Sequence, residues 1–281
     1  MKIAITADSV IDLPKDLLEE FDIKVLNFRI LLGDKEYRDG EISTSDIFKY
    51  VEETKILPKT AAENEESYTE FWTEVLKDYD KLIHFSLSSF MSTTHNSAVL
   101  AAKNFGDKVE VINSLSLSTG VALLAIYARE LTKTIDDISV IAQKVRDRAP
   151  YVQASFIVER LDYLHKGGRC SAVALLGANV FKIRPQIIVK DGKMGSHKKY
   201  RGPMPAVITK YCQDVFAEFN HPDKTNIFIT YTSATPEMIK AARDIVEHMG
   251  FKNVYETKAG CTVASHCGEH TLGILYINDA E

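Results

Sequence analysis

The 281-residue chain has four cysteines, Cys170, Cys212, Cys261 and Cys267, and none of them forms a C-x-x-C pair. Reduced, mostly buried thiols are therefore expected rather than disulfide bridges or a zinc knuckle. No window approaches the ~18 uninterrupted apolar residues of a membrane-spanning helix, so no membrane span is expected. The opening "MKIAITADS" reaches Asp8 without the long apolar core of a signal peptide, so a cytoplasmic location is expected. Basic excess is also missing. With 34 Lys and Arg against 39 Asp and Glu, the net charge of -5 gives no electrostatic reason to expect a nucleic acid partner. There is no G-x-S-x-G elbow and no G-x-x-x-x-G-K-[ST] phosphate loop, nor any internal repeat or low-complexity linker.

What is present is an ordinary globular composition, 45% hydrophobic and 26% charged, in a chain longer than one usual domain. The first half alternates strands and helices. "KIAIT" reads as a strand and "DLPKDLLEEF" as a helix with Asp12 as N-cap and Pro14 in its first turn. "IKVLNFRI" reads as one strand. Asn64 or Ser67 caps a helix whose Tyr68, Phe71, Trp72 and Val75 recur at helical spacing. "KLIHFSL" and "KVEVIN" follow as strands, with helices over "THNSAVLAAKNF" and "STGVALLAIYARELT". This alternation predicts a parallel sheet covered on both faces.

The second half has paired strands. Asp191-Gly192 lies between two strand-like runs, the preferred chemistry of a tight hairpin. A helix over about 203–219, the strand "NIFITYT", a helix opened by Thr235-Pro236-Glu237, and the strands "NVYETKA" and "TLGILYI" complete it. The expectation is an α/β protein in two domains: residues 1–150 with a parallel sheet, and residues 151–281 with a mixed, partly antiparallel sheet. The two halves are expected to pack closely and make a cleft.

"ASHCGEHTLGILYI" contains His266-x-x-Glu269-His270, the spacing of inverted zinc proteases. That motif needs both histidines on one continuous helix and a later third ligand. Gly268 interrupts it, and 11 residues remain after His270, so no metal is expected. His270 reads as a histidine at a strand start.

"FSLSSFMSTTHNSA" places Ser88, Ser89, Ser92, Thr93 and Thr94 after a strand and before a helix, where hydroxyls and helix N–H groups favour anions. The same residues also serve as ordinary helix caps. "LHKGGRCS" ends a helix at Gly167-Gly168 and presents Arg169, either as a forked donor to carboxylate or phosphate or as a solvated side chain. "LPKTAAEN" places Thr60 in a short loop between helices.

In order and spacing, "ITADSVIDLP", "YRDG", "PKTA", "SLSSFMSTTHNSA", "INSLSLSTG", "LDYLHKGGRCS", "IRPQIIVKDGK", "KYRG" and "ASHCG" resemble the DegV family of bacterial fatty-acid-binding proteins, also called FakB. The resemblance covers nearly the whole chain. It implies two α/β domains with a fatty acid lodged between them, and no cofactor. It also implies that the protein is a binding subunit rather than an enzyme. A separate ATP-dependent fatty acid kinase phosphorylates the bound acid's carboxylate, and the carrier then delivers the acyl phosphate to acyltransfer enzymes of phospholipid metabolism.

The residues carried over for the carboxylate are Thr60, Ser92 with its neighbour Thr93, and His266. Arg169 and Arg201 match positions near the mouth, for phosphate or kinase contact. Hydroxyls and an imidazole N–H satisfy a buried carboxylate without a full opposing charge. Phe156, Val158 and Leu161 are expected to line the acyl tunnel. The sequence departs from the family pattern at Ala61-Ala62-Glu63, where S-Q-P is usual, at Thr93, where glycine is usual, and at Cys267-Gly268-Glu269-His270, where T-G-P-G is usual. The competing expectation is a metal- or hydroxyl-dependent hydrolase of a small acyl substrate.

Overall fold

The computed structural model describes residues 1–170 and 183–280. A parallel sheet is built from β1 (Ile3–Asp8), β2 (Ile23–Leu26), β6 (Lys81–Ser86) and β7 (Val109–Asn113) in the order β2-β1-β6-β7. All six residues of β1 are buried, as expected of an inner parallel strand covered on both faces. A second sheet holds β8 (Val152–Ile157), β9 (Arg184–Lys190), β10 (Lys193–Tyr200), β11 (Asn226–Tyr231), β12 (Asn253–Lys258) and β13 (Leu272–Ile277). Its order is β10-β9-β8-β13-β11-β12, antiparallel apart from the β11–β12 pair. Asp191 and Gly192, both at positive φ, make the predicted hairpin turn between β9 and β10.

A third, three-stranded antiparallel sheet was not anticipated. It contains β3 (Arg29–Leu32), β4 (Lys35–Arg38) and β5 (Lys59–Ala61) in the order β4-β3-β5. "IKVLNFRI" is therefore two strands in two sheets: the chain leaves the parallel sheet at Asn27-Phe28 and buries Phe28. Thr60, expected in a loop, lies in β5 opposite Ile30. Asp12 is also reassigned. It follows a short 3-10 turn at φ 55, and Pro14 takes the N-cap position of α1 (Lys15–Glu20).

The helices are α2 (Thr44–Thr54), α3 (Glu65–Val75), α4 (Thr94–Ala102), α5 (Thr119–Leu131), α6 (Ile138–Arg148), α7 (Asp162–Gly167), α8 (Met204–Glu218), α9 (Pro236–Val246) and α10 (Cys261–Cys267). Asn64 caps α3 by accepting the Ser67 N–H. The central element is α5. Its residues Thr119 to Ile126 are buried without interruption, a pattern of a helix enclosed on all sides. It packs on β1 and β6 of the parallel sheet and on β8, β11 and β13 of the mixed sheet.

One apolar cluster accordingly runs from Ile5 and Ile83 through Val121, Leu124 and Ala125 to Phe228, Leu275 and Ile277. The two halves of the chain share this core. Truncating Leu124, fully buried within it, to alanine is expected to cost about 2–5 kcal/mol. In urea, fluorescence of Trp72, the single tryptophan, and far-UV circular dichroism should still report one coincident transition. Separate midpoints would contradict the shared core.

Candidate functional site

The site is organised around α10, a helix of seven residues. So short a helix is unstable alone and needs its ends satisfied by tertiary contacts. Two carboxylates from the first half of the chain supply them. Asp39 accepts the N–H groups of Cys261 (2.9 Å) and Thr262 (3.2 Å), and Asp12 accepts that of Gly260 (2.7 Å). The Asp12 carboxyl also accepts the Ser118 hydroxyl. Burial pushes Asp12 well above the usual carboxylate range, against the opposing effect of those two donors. At its other end the helix stops at Gly268 (φ 75), where a Cβ would come within 2.7 Å of the Tyr163 ring.

That placement turns His266 toward β5. Its Nε2 lies 2.8 Å from Thr60 Oγ1, joining residues 206 positions apart in sequence. The Nδ1 side packs against Gly167, where a Cβ would approach to 2.7 Å. Burial, reinforced by the nearby Arg169 guanidinium, lowers His266 to about 4, so its imidazole is neutral at physiological pH.

The hydroxyl-rich stretch resolves into parts with different tasks. Ser86 donates to the Ile112 carbonyl, Ser88 donates to Gly192 at the hairpin tip (2.6 Å), and Ser89 meets Asn113. Thr94 pairs with Tyr68 (2.6 Å), whose hydroxyl also donates to buried Asp8. The other Asp8 oxygen accepts the Leu87 N–H. His84 completes this buried network between Asp8 and Thr6. Those contacts hold the loop that carries Ser92. Thr93 sits at the N-cap position of α4, exposed and without a side-chain cap hydrogen bond.

Thr60, Ser92, His266 and Arg169 converge on one cavity, whose atom-free space, open mouth included, is about 560 Å³. Its walls are largely apolar, with Phe28, Met91 and Met194 among them. A second cavity of about 320 Å³ shares Leu117, Val263 and Cys267 with the first and is bounded by Phe156 and Leu275. Phe156 thus lines this space, whereas Val158 and Leu161, in the same apolar cluster, line neither cavity. Arg169 donates to the Gly167 carbonyl (2.7 Å) and is exposed at the rim.

Two anticipated residues are not brought in. Thr93 and Arg201 line neither cavity, and Arg201 is exposed immediately after β10. Ala61 and Ala62 do line the first cavity. His270, beyond the helix stop, pairs with Glu159 and shares no helix with His266. Among the described residues no group of three or more His, Cys, Asp or Glu is placed to hold a metal. No helix among them is long and apolar enough to cross a membrane.

Comparison with known proteins gives concordant matches. The family described as "Uncharacterised protein, DegV family" matches residues 2–279. A curated relative from Thermotoga maritima, named "Fatty acid-binding protein", is 31% identical over 213 residues, 74% of each chain. A DegV domain-containing protein of Clostridium acetobutylicum is 29% identical over 280 residues, 98% of both chains. Among solved structures, a DegV lipid-binding protein of Thermotoga maritima superposes with a TM-score of 0.87 at 25% identity, covering 100% of both chains. A DegV family protein from Thermus thermophilus, described for its fatty acid binding, reaches 0.91 at 24% identity, covering 99% of this chain and 100% of its own.

The depressed His266 has a measurable consequence. Between pH 6.5 and about 4 the unfolded chain holds more protons on this residue than the folded one, so acid destabilises the fold across that window. In a histidine NMR titration His266 should keep its neutral-imidazole signals until the pH falls to about 4. A midpoint near 6.5 would show that the ring is not enclosed as described.

Proposed function

The chain belongs to the DegV family, and from that premise we propose that it is a carrier for a long-chain fatty acid. The observation that carries this reading is the pairing of Thr60 with a neutral, enclosed His266 at one side of an apolar cavity. The fatty acid carboxylate would sit there, accepting hydrogen bonds from Thr60, Ser92 and His266. Neutral donors offset the cost of burying the charge but leave the carboxylate oxygens nucleophilic. The acyl chain would extend through the first cavity toward the second, each buried CH₂ contributing about 0.8 kcal/mol. The relatives named for fatty-acid and lipid binding support the same ligand class.

In this reading residues 1–150 and 151–281 act as two domains with the ligand between them, and the protein works in the cytoplasm. It has no turnover of its own. A separate ATP-dependent kinase would phosphorylate the presented carboxylate, and the carrier would hold the acyl phosphate for acyltransfer enzymes. Arg169, exposed at the rim, would meet the phosphate or the kinase. Thr93 and Arg201 line neither cavity, so this reading gives the carboxylate to Thr60, Ser92 and His266 and leaves Arg201 to phosphate or kinase contact.

Mass spectrometry of an organic extract of the purified protein should find a long-chain fatty acid; stoichiometric zinc with no lipid would sink the proposal. His266→Ala should weaken fatty acid binding roughly tenfold to a hundredfold, the value of a hydrogen bond to a charged group. With the partner kinase and ATP supplied, His266→Ala and Ser92→Ala should both lower fatty-acid phosphorylation. Unchanged rates would remove these residues from the head-group site.

A further inference from the structure

Among the described residues, seven buried side-chain polar atoms have no hydrogen-bond partner. Only two of them belong to residues lining either cavity, Thr262 Oγ1 and His266 Nδ1, and both are on α10. The two residues are four positions apart, one helical turn, so they share a face with Cβ atoms about 5–6 Å from each other. His266 Nδ1 faces Gly167, and in the neutral ring that donates from Nε2 it is a bare lone pair. The Thr262 hydroxyl, with the residue only 5% exposed, has no such account.

Its position explains why the protein cannot satisfy it. A helical hydroxyl normally bonds back to the carbonyl four residues earlier, as Ser265 does to Cys261 (2.7 Å). For Thr262 that carbonyl belongs to Lys258, which ends β12, outside the helix that begins at Cys261. The four serine and threonine residues around the second cavity contrast with it. Ser118 donates to Asp12, Thr230 meets Thr119 and Thr257, Thr232 donates to Gly268 and Thr271 donates to Cys267. All four are used within the protein, whereas Thr262 is left over.

A buried hydroxyl without a partner is costly, and a plain methylene chain packed against it would leave it so. We propose that Thr262 Oγ1 is a specificity-determining contact for a fatty acid bearing a hydroxyl group near its carboxyl end, because it is the unpartnered hydroxyl one helical turn from His266 in the cavity wall. This inference rests on the fatty-acid reading of the cavity. Thr262 would exchange a hydrogen bond with the ligand hydroxyl while His266, Thr60 and Ser92 hold the carboxylate.

The test is a set of binding titrations on delipidated protein with hexadecanoic acid, with 2-, 3- and 4-hydroxyhexadecanoic acid, and with the 16-hydroxy acid as a control. At least one of the three near-carboxyl hydroxy acids should bind about three- to tenfold more tightly than hexadecanoic acid, as one net hydrogen bond implies. Thr262→Val should abolish that preference by weakening the hydroxy acid and strengthening the plain one, whereas Thr262→Ser should retain it. The proposal is overturned if none of the three outcompetes hexadecanoic acid, if the 16-hydroxy acid is favoured equally, or if the preference survives Thr262→Val. Should hexadecanoic acid and every hydroxy acid fail to bind the wild-type protein, the fatty-acid reading itself fails and this inference falls with it. Binding of the plain acid to Thr262→Val separates a lost contact from a misfolded variant.

Discussion

Two carboxylates grip the start of a helix that could not stand alone, and the site depends on that grip. Asp12 and Asp39 come from loops in the first half of the chain, yet between them they accept the N–H groups of Gly260, Cys261 and Thr262. Negative charge or acceptor density at a helix N-terminus is favourable for the dipole as well as for the orphan amides. Both oxygens of Asp39 and Oδ1 of Asp12 would lie within 3.3 Å of a Cβ at Gly260, so glycine is needed there for close approach. Ser9 adds a donor to Asp39 (3.1 Å), and its own oxygen accepts the Phe28 N–H (3.1 Å). The same cluster therefore orients α10, and with it His266, and fixes the chain where it leaves the parallel sheet toward β3 and β5. Thr60 and His266 meet because their supports are bonded to each other.

The second constraint is α5, which belongs to neither sheet alone. Its entry is made from Leu115 and Ser118, both at positive φ, conformations that L-residues adopt only when surroundings impose them. The surroundings do so here. Asn113 Oδ1 accepts the N–H groups of Ser89 and Leu115, and the Ser88 N–H bonds to the Ser116 carbonyl. Ser118 is held by Asp12. The two serine-rich stretches thus interlock, and Leu117 between the fixed points is left lining both cavities. Sheet packing, loop strain and cavity shape are consequences of one arrangement.

Much of this was legible in sequence. Apolar periodicity placed most strands and helices, and Asp191-Gly192 marked its hairpin, because these signals are local. Thr60, Ser92 and His266 were reached through motif resemblance, and the structure brings all three to one cavity. What could not be read has one physical character: it depends on partners distant in sequence. Asp12 looked like a helix cap because Gly260, 248 residues away, was invisible to a local reading. "IKVLNFRI" looked continuous because its residues suit a strand, while the switch between sheets at Phe28 is set by tertiary contacts. Thr93 carried a hydroxyl beside Ser92, but the turn into α4 points it to solvent. Thr262 gave no signal at all, since an unsatisfied hydroxyl is a property of what surrounds it.

The departures from the family pattern divide in the same way. Glu269 and His270 replace the usual proline and glycine, yet neither lines a cavity. His270 occupies the positive-φ position (φ 53) that glycine would take, and its side chain pairs with Glu159, which in turn binds Arg184 (2.9 Å). Its N–H is accepted by Ser233. These contacts spread the strain of a non-glycine residue over an ion-paired seam beyond the helix, and they leave the neutral imidazole of His266 on the far side of Gly268. Glu63 is similar: its buried carboxylate is held by Arg29 and Arg38 outside the cavity wall. Ala61 and Ala62, in contrast, line the first cavity directly, where serine and glutamine are the family's usual residues. The charged departures thus lie outside the cavity walls, while the small apolar ones line the first cavity together with Thr262, its one unpartnered buried hydroxyl among the described residues.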